Sequence, residues 1–478
     1  MSVLIISVVT CTGLYYLFPD TVGGIKLKKV DLLADIRVAQ DSSFGNYLLV
    51  QGEQEDLFCI DSMIAIMHQF KLKDTLSAFL PIDSASIKLR NSLYQVMYAV
   101  EGADSLGTRI EDYSVGHVGL RRFFAALSRR QWLGRPVRIA FMGDSFIEGD
   151  ITVANFRESM QEQFGGQGVG FVPIQSVDGK FRPTINQKAE GWVTYSLPTH
   201  KKYRHILSGM IFEGTSNQAT LSFKTSLFLP SLKKVSSLKF LYEQNESTLM
   251  QLVYNGDTLV QALPPSSSIQ QFVLNDSITE GKLTFTNAKG FRAFGLVLEG
   301  DSGIVVDNYA KRGNSGVIFE HLNQEDCHAF GEIRPYDLIV LQYGLNVASK
   351  GMFQYGWYRQ SMTRTVQHLQ KCFPDSDILL LGISDRASLQ NGKYQTMPEV
   401  LALLHAQCQV ARQTGITFWN TFDAMGGKGS IVRYSAKGWA GKDFTHLNFK
   451  GGREIAKALT KAFMLEKKFY DKAETSIP

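Results

Sequence analysis

The chain has 478 residues, a formal net charge of +5, 44% hydrophobic residues and 20% charged residues. Those values suit a globular protein with a large buried core, and the length suggests two or three domains. The mild basicity comes without a long basic run and argues against nucleic acid as a partner; five cysteines (11, 59, 327, 372, 408) without C-x-x-C spacing argue against a metal cluster.

Ser2–Phe18 carries no charged side chain and is largely apolar. It is read as a signal peptide or membrane anchor over 1–18, which would give a cell-envelope, periplasmic or membrane-anchored address. No Lys or Arg precedes the run, and it is shorter than the ~20 residues a spanning helix needs. Lys26, Lys28 and Lys29 follow it and favour retention of the next segment. Asp61–Phe79 and Ile87–Val100 show no convincing period. Val115–Arg130 does: Leu120, Phe123, Phe124 and Leu127 form an apolar face, and Arg121, Arg122, Arg129 and Arg130 lie largely opposite.

Val137–Met142 is an apolar run with β-branched residues, and it ends in Gly143-Asp144-Ser145. This predicts a buried strand running into a tight turn that presents a hydroxyl at a sheet's carboxyl edge. Thr152–Phe164 reads as the following helix, stopped by Gly165-Gly166. The Ser145 N–H then sits near a helix N-terminus, where a developing negative charge is favoured. Glu148 and Asp150 read as structural hydrogen-bonders.

Residues 173–302 change in texture. Short apolar or alternating runs recur at Trp192–Leu197, His205–Phe212, Ala219–Phe223, Val235–Tyr242, Leu249–Tyr254, Gln270–Leu274, Gly281–Thr286 and Phe294–Leu298. Turn residues such as Asn255-Gly256-Asp257 and Pro264-Pro265-Ser266-Ser267-Ser268 separate several of them. This spacing predicts a β-sandwich. Trp192, Tyr195, Tyr203 and Tyr254 could stack on sugar rings, although such aromatics more often fill cores. Asn245 and Asn275 open N-x-S sequons.

Strand-like runs then return at Gly303–Asp307, Asp337–Gln342, Asp377–Leu381 and Ile416–Asn420. Helix-like runs lie at Arg359–Cys372 and Pro398–Arg412. The alternation predicts an α/β fold, a three-layer α/β/α sandwich around a mostly parallel sheet. Ser145, Gly316, Asn346 and Ser384-Asp385-Arg386 would all fall at one sheet edge. Asp443-Phe444-Thr445-His446 sets an acid just before a histidine, ahead of an amphipathic run from Gly452 to Phe463.

Gly143-Asp144-Ser145, the loop Gly313-Asn314-Ser315-Gly316, Gly344-Leu345-Asn346 and Asp443-x-x-His446 resemble, in this order, the four blocks of the SGNH (GDSL-like) hydrolases. The extended turn Gly143–Asp150 and the long insertion look like the peptidoglycan O-acetylesterases of that superfamily. Leu345 and Val347 depart from the Thr and Glu more usual around this Asn. The resemblance covers roughly 137–170 and 303–460 and implies a split catalytic domain, 19–172 and 303–478, around a carbohydrate-binding-like jelly roll at 173–302. It implies a flavodoxin-like sheet order, with Ser145 as nucleophile, His446 as base and Asp443 as its orienting acid. The oxyanion hole would be the N–H groups of Ser145 and Gly316 with the Asn346 amide. Arg386 and Trp192 are candidate substrate-binding residues. No cofactor or metal is required. The implied activity is a serine esterase removing O-acyl groups, acetyl foremost, from an acylated polysaccharide such as peptidoglycan. An O-acyltransferase using the same acyl-enzyme, or a non-catalytic glycan-binding protein, are the alternatives.

Overall fold

The computed structural model describes residues 84–101, 109–175, 182–197, 199–244 and 246–476, with the short strands Thr21–Val22 and Ile25–Lys26. The chain divides into two compact units, Met1–Phe79 and Leu80–Pro478. In the first, Thr21–Val22 pairs antiparallel with Ile25–Lys26. The expected leader or anchor over 1–18, Asp61–Phe79, Cys11, Cys59 and the Asn245 sequon lie outside the described residues. No helix among the described residues is long and apolar enough to cross a membrane.

The second unit opens with α1 (Ser84–Glu101), β1 (Ile110–Asp112), α2 (Arg121–Ser128), β2 (Val137–Gly143) and α3 (Val153–Phe164). Eleven strands follow: β3 (Gly170–Val172), β4 (Ile185–Glu190), β5 (Trp192–Ser196), β6 (Met210–Gly214), β7 (Gln218–Thr225), β8 (Val235–Gln244), β9 (Thr248–Tyr254), β10 (Asp257–Leu263), β11 (Ser266–Ile278), β12 (Glu280–Thr286) and β13 (Arg292–Glu299). The chain then returns through β14 (Ile304–Ala310), α4 (Gln324–Ile333), β15 (Leu338–Gln342), α5 (Gly356–Cys372) and β16 (Asp377–Leu381). A hairpin, β17 (Ala387–Gln390) and β18 (Lys393–Thr396), leads to α6 (Pro398–Thr414), β19 (Thr417–Trp419), α7 (Thr421–Ala424), α8 (Ser430–Ala436) and α9 (Phe449–Ser476).

β14, β2, β15, β16, β19 and β1 form one sheet in that order. The pairs are parallel except β19 with β1. Every residue of β2, β15 and β16 is buried, which is why these strands read as unbroken apolar runs. The insertion forms two antiparallel sheets, β11-β8-β13-β6-β5 with β3 beside β13, and β10-β9-β12-β7-β4. They share a core containing Leu238, Phe240, Leu296 and Leu298 from one and Leu221, Met250, Leu252 and Phe285 from the other. In β9, burial alternates residue by residue, as a strand with one wet face requires.

Some expectations are corrected. Gly170–Val172 already pairs with β13, ahead of the expected start at 173. Ser266–Ser268, read as a turn, begins β11. β4 and β10 escaped notice because their polar residues blur the alternation. Cys327, Cys372 and Cys408 are free thiols.

Charge joins sandwich to sheet. Glu299 of β13 is fully buried and binds Arg138 of β2 and Arg334 after α4, both at 2.9 Å, and Lys239 of β8 at 2.7 Å. Arg334 also binds Asp307 of β14 at 2.7 Å. Burial opposes the Glu299 charge, but the three cations outweigh it and hold the carboxyl well below its ordinary pKa.

Candidate active site

β14, β2, β15 and β16 run parallel, so the segments after them open on one edge of the sheet. Those segments hold Gly316, Ser145, Asn346 and Asp385-Arg386. Ser145 follows directly from β2 and is 5% exposed. Its Oγ lies 3.0 Å from His446 Nε2. His446 Nδ1 lies 2.7 Å from Asp443 Oδ2. Both are ordinary hydrogen-bond lengths, so hydroxyl, imidazole and carboxylate form one connected chain.

The loop carrying acid and imidazole is held by local bonds. Asp443 Oδ1 accepts the N–H groups of Thr445 at 3.1 Å and His446 at 3.2 Å, an Asx turn. Phe444 between them adopts φ 51°, which is costly for an aromatic residue. Its carbonyl accepts the Ala387 N–H at 3.0 Å, and its ring centre stands 4.0 Å from that of Tyr394. The β17–β18 hairpin therefore fixes the loop. Burial raises the Asp443 pKa, but the hydrogen bonds from the His446 ring and from backbone N–H groups outweigh it, leaving the carboxyl below its usual value.

Asp144 is fully buried beside the serine. One oxygen accepts the Phe146 N–H at 2.9 Å; the other has no partner of good geometry among the described residues. Burial pushes this carboxyl up to about 7, against the pull of the Phe146, Leu345 and Gly344 N–H groups. Asp150 behaves in the opposite way. Arg157 at 3.2 Å and Arg182 at 3.1 Å outweigh its burial and hold it well below the ordinary range. Thr184 and Asn308 also donate to it, at 2.5 and 2.6 Å, and Arg312 pairs with Glu148. Glu148 and Asp150 thus brace the turn, as expected.

The expected oxyanion donors differ in their surroundings. The Ser145 N–H has no protein acceptor among the described residues. The Asn346 side chain is exposed and donates to the Asn314 carbonyl at 3.0 Å. The Gly316 N–H donates to Asn314 Oδ1 at 2.9 Å. In this arrangement an Asx turn occupies the N–H expected to help hold the oxyanion. Gly316 is glycine for a reason, since at φ 87° a Cβ would stand 2.6 Å from the Tyr343 ring.

Neither candidate substrate contact offers itself as one. Arg386 Nη1 donates to the carbonyls of Leu345 and Ala348 at 3.2 and 3.0 Å and braces the Asn346 loop. Trp192 lies in the sandwich core, 7% exposed, with its Nε1 donating to the Thr220 carbonyl at 3.0 Å and its ring against Phe285 and Phe291. A platform needs a free face, and this indole has none. Sequence reasoning missed Asn314, which engages both Gly316 and Asn346. The available signal was an Asn just ahead of a glycine in a loop.

No family model matches the chain, and no curated protein matches it in sequence. Among solved structures it is similar to a peptidoglycan O-acetylesterase, with TM-score 0.61 and 21% identity over 75% of this chain and 99% of that one. It thus shares that protein's fold. A family two carbohydrate esterase from Cellvibrio japonicus gives TM-score 0.26 and 11% identity over 60% of this chain and 98% of that one. A family 29 carbohydrate binding module gives TM-score 0.20 and 14% identity over 28% and 90%. At those scores the last two carry no argument.

Proposed function

We propose that this protein is a serine esterase that hydrolyses O-acyl esters, O-acetyl foremost, on a polysaccharide such as peptidoglycan. The observation that carries this reading is the hydrogen-bonded chain from Ser145 Oγ to His446 at 3.0 Å and on to Asp443 at 2.7 Å. The fold shared with a peptidoglycan O-acetylesterase supports the substrate class. The charge-free run Ser2–Phe18 supports an envelope address.

In this reading Ser145 Oγ attacks the ester carbonyl carbon while His446 Nε2 takes its proton. Asp443 holds the imidazole tautomer and stabilises the imidazolium. The oxyanion is met by the Ser145 N–H and the Asn346 amide, preset donors of the kind worth ~10²–10³ each in rate. Collapse breaks the bond to the sugar oxygen, which leaves with the proton from His446. Water, deprotonated by the same imidazole, then attacks the acyl-serine and releases the acid and free enzyme.

The test is acetate release from O-acetylated peptidoglycan, xylan and pectin, with 4-nitrophenyl acetate as a small ester. Ser145→Ala should abolish turnover and leave the melting temperature unchanged. Undiminished activity in that variant would sink the reading.

A further inference from the structure

Leu227 is a large apolar side chain left 82% exposed. It belongs to the short loop after β7, and that loop is tightly turned. Ser226 Oγ accepts the Phe228 N–H at 3.0 Å and donates to the Pro183 carbonyl at 2.5 Å. The loop also reaches the catalytic side of the molecule. The Phe228 ring meets Phe449 edge to face, with centres 5.6 Å apart. Phe449 opens α9, just after His446. The start of that helix presses on the nucleophile turn, where a Cβ on Gly452 would stand 2.0 Å from the Ile151 carbonyl. On the other flank Arg182 binds Asp150 of the same turn.

Between these flanks lies a groove of about 520 Å³, lined by Arg182, Asn186, Gln187, Lys224, Ser226 and Leu227. Its cations are already matched: Arg182 by Asp150 at 3.1 Å and Lys224 by Glu280 at 2.8 Å. A polyanion would find no surplus positive charge. What the groove does present is the exposed Asn186 amide together with the apolar Leu227 and Pro183. That mixture suits a sugar chain, with C–H faces on apolar side chains and hydroxyls on an amide.

We propose that this groove binds an uncharged stretch of the glycan that carries the scissile ester, extending the substrate site from Ser145 onto the sandwich. The inference rests on the esterase reading above and adds a polymer subsite to it. Leu227→Ser with Asn186→Ala alters two exposed side chains and spares the core. The readout is the ratio of kcat/KM on an O-acetylated polysaccharide to kcat/KM on 4-nitrophenyl acetate. The ratio should fall tenfold or more, through KM on the polymer. An unchanged ratio, or equal losses on both esters, overturns the subsite. Concentration-dependent self-association abolished by Leu227→Ser also overturns it, since the loop would then serve a second copy of this chain. If the parent protein hydrolyses neither ester, the esterase reading fails. The groove is then judged by co-sedimentation with insoluble polysaccharide, where equal binding by parent and variant refutes it.

Discussion

Asp443 is exposed, yet its carboxylate holds an imidazole at 2.7 Å and two backbone N–H groups. Asp443→Asn keeps the shape but favours the wrong imidazole tautomer. In a buried serine-protease triad that change costs about 10⁴ in kcat. Water can partly replace an exposed carboxylate, so kcat for acetate release should fall roughly 10²–10⁴-fold; a loss under tenfold would remove Asp443 from the mechanism. Asn346→Ala should cost ~10²–10³ in kcat with little change in KM for a small ester. A pure KM effect would make Asn346 a binding residue. The residue types at these positions were legible because nucleophilic chemistry needs them. The Asn314 contacts were not, because they depend on how two loops meet.

α9 shows what one element does for both site and stability. Its first turn follows the His446 loop, and its length packs Phe463 against Phe156 of α3 and Phe469 against Tyr94 of α1. Glu474 near its end binds Arg90 and Arg121 at 2.8 Å. α1 was missed in the sequence for a related reason. Its inward positions include Arg90, only 1% exposed, so no clean apolar period runs along it. Glu466 is buried in α9, with one oxygen unpartnered among the described residues. Burial lifts its pKa from 4.5 to about 8. Between those values the native state keeps a proton that the unfolded chain has released. The associated stability is complete below the unfolded pKa and is lost as pH rises through about 8. The melting temperature of the parent should therefore drop more steeply from acid to mildly alkaline pH than that of Glu466→Gln. Superimposable pH profiles would show that Glu466 does not titrate there.

Across the whole molecule, the sandwich and the parallel sheet are joined by buried charge as well as by packing. Arg334 contacts Glu299 and Asp307, and all three are at most 2% exposed. Arg334→Met would leave two carboxylates short of a cation in a low-dielectric interior, at a cost of about 3–5 kcal/mol. Chemical denaturation should register that loss; a change under 1 kcal/mol, roughly the worth of a surface pair, would mean that the cluster is solvated. The sequence by itself determined the buried strands, the strand-rich texture of the insertion, the turn at Ser145 and the Asp443–His446 spacing. Each of these is a local demand, met by side-chain period, by backbone turn chemistry or by the needs of a nucleophile. Only the tertiary structure decided that Trp192 is core, that Arg386 braces a loop, that the Gly316 N–H is occupied and that β3 belongs to the sandwich. Those outcomes turn on which groups meet across long stretches of chain, and hydrogen bonds and burial there are settled by packing that no local pattern encodes.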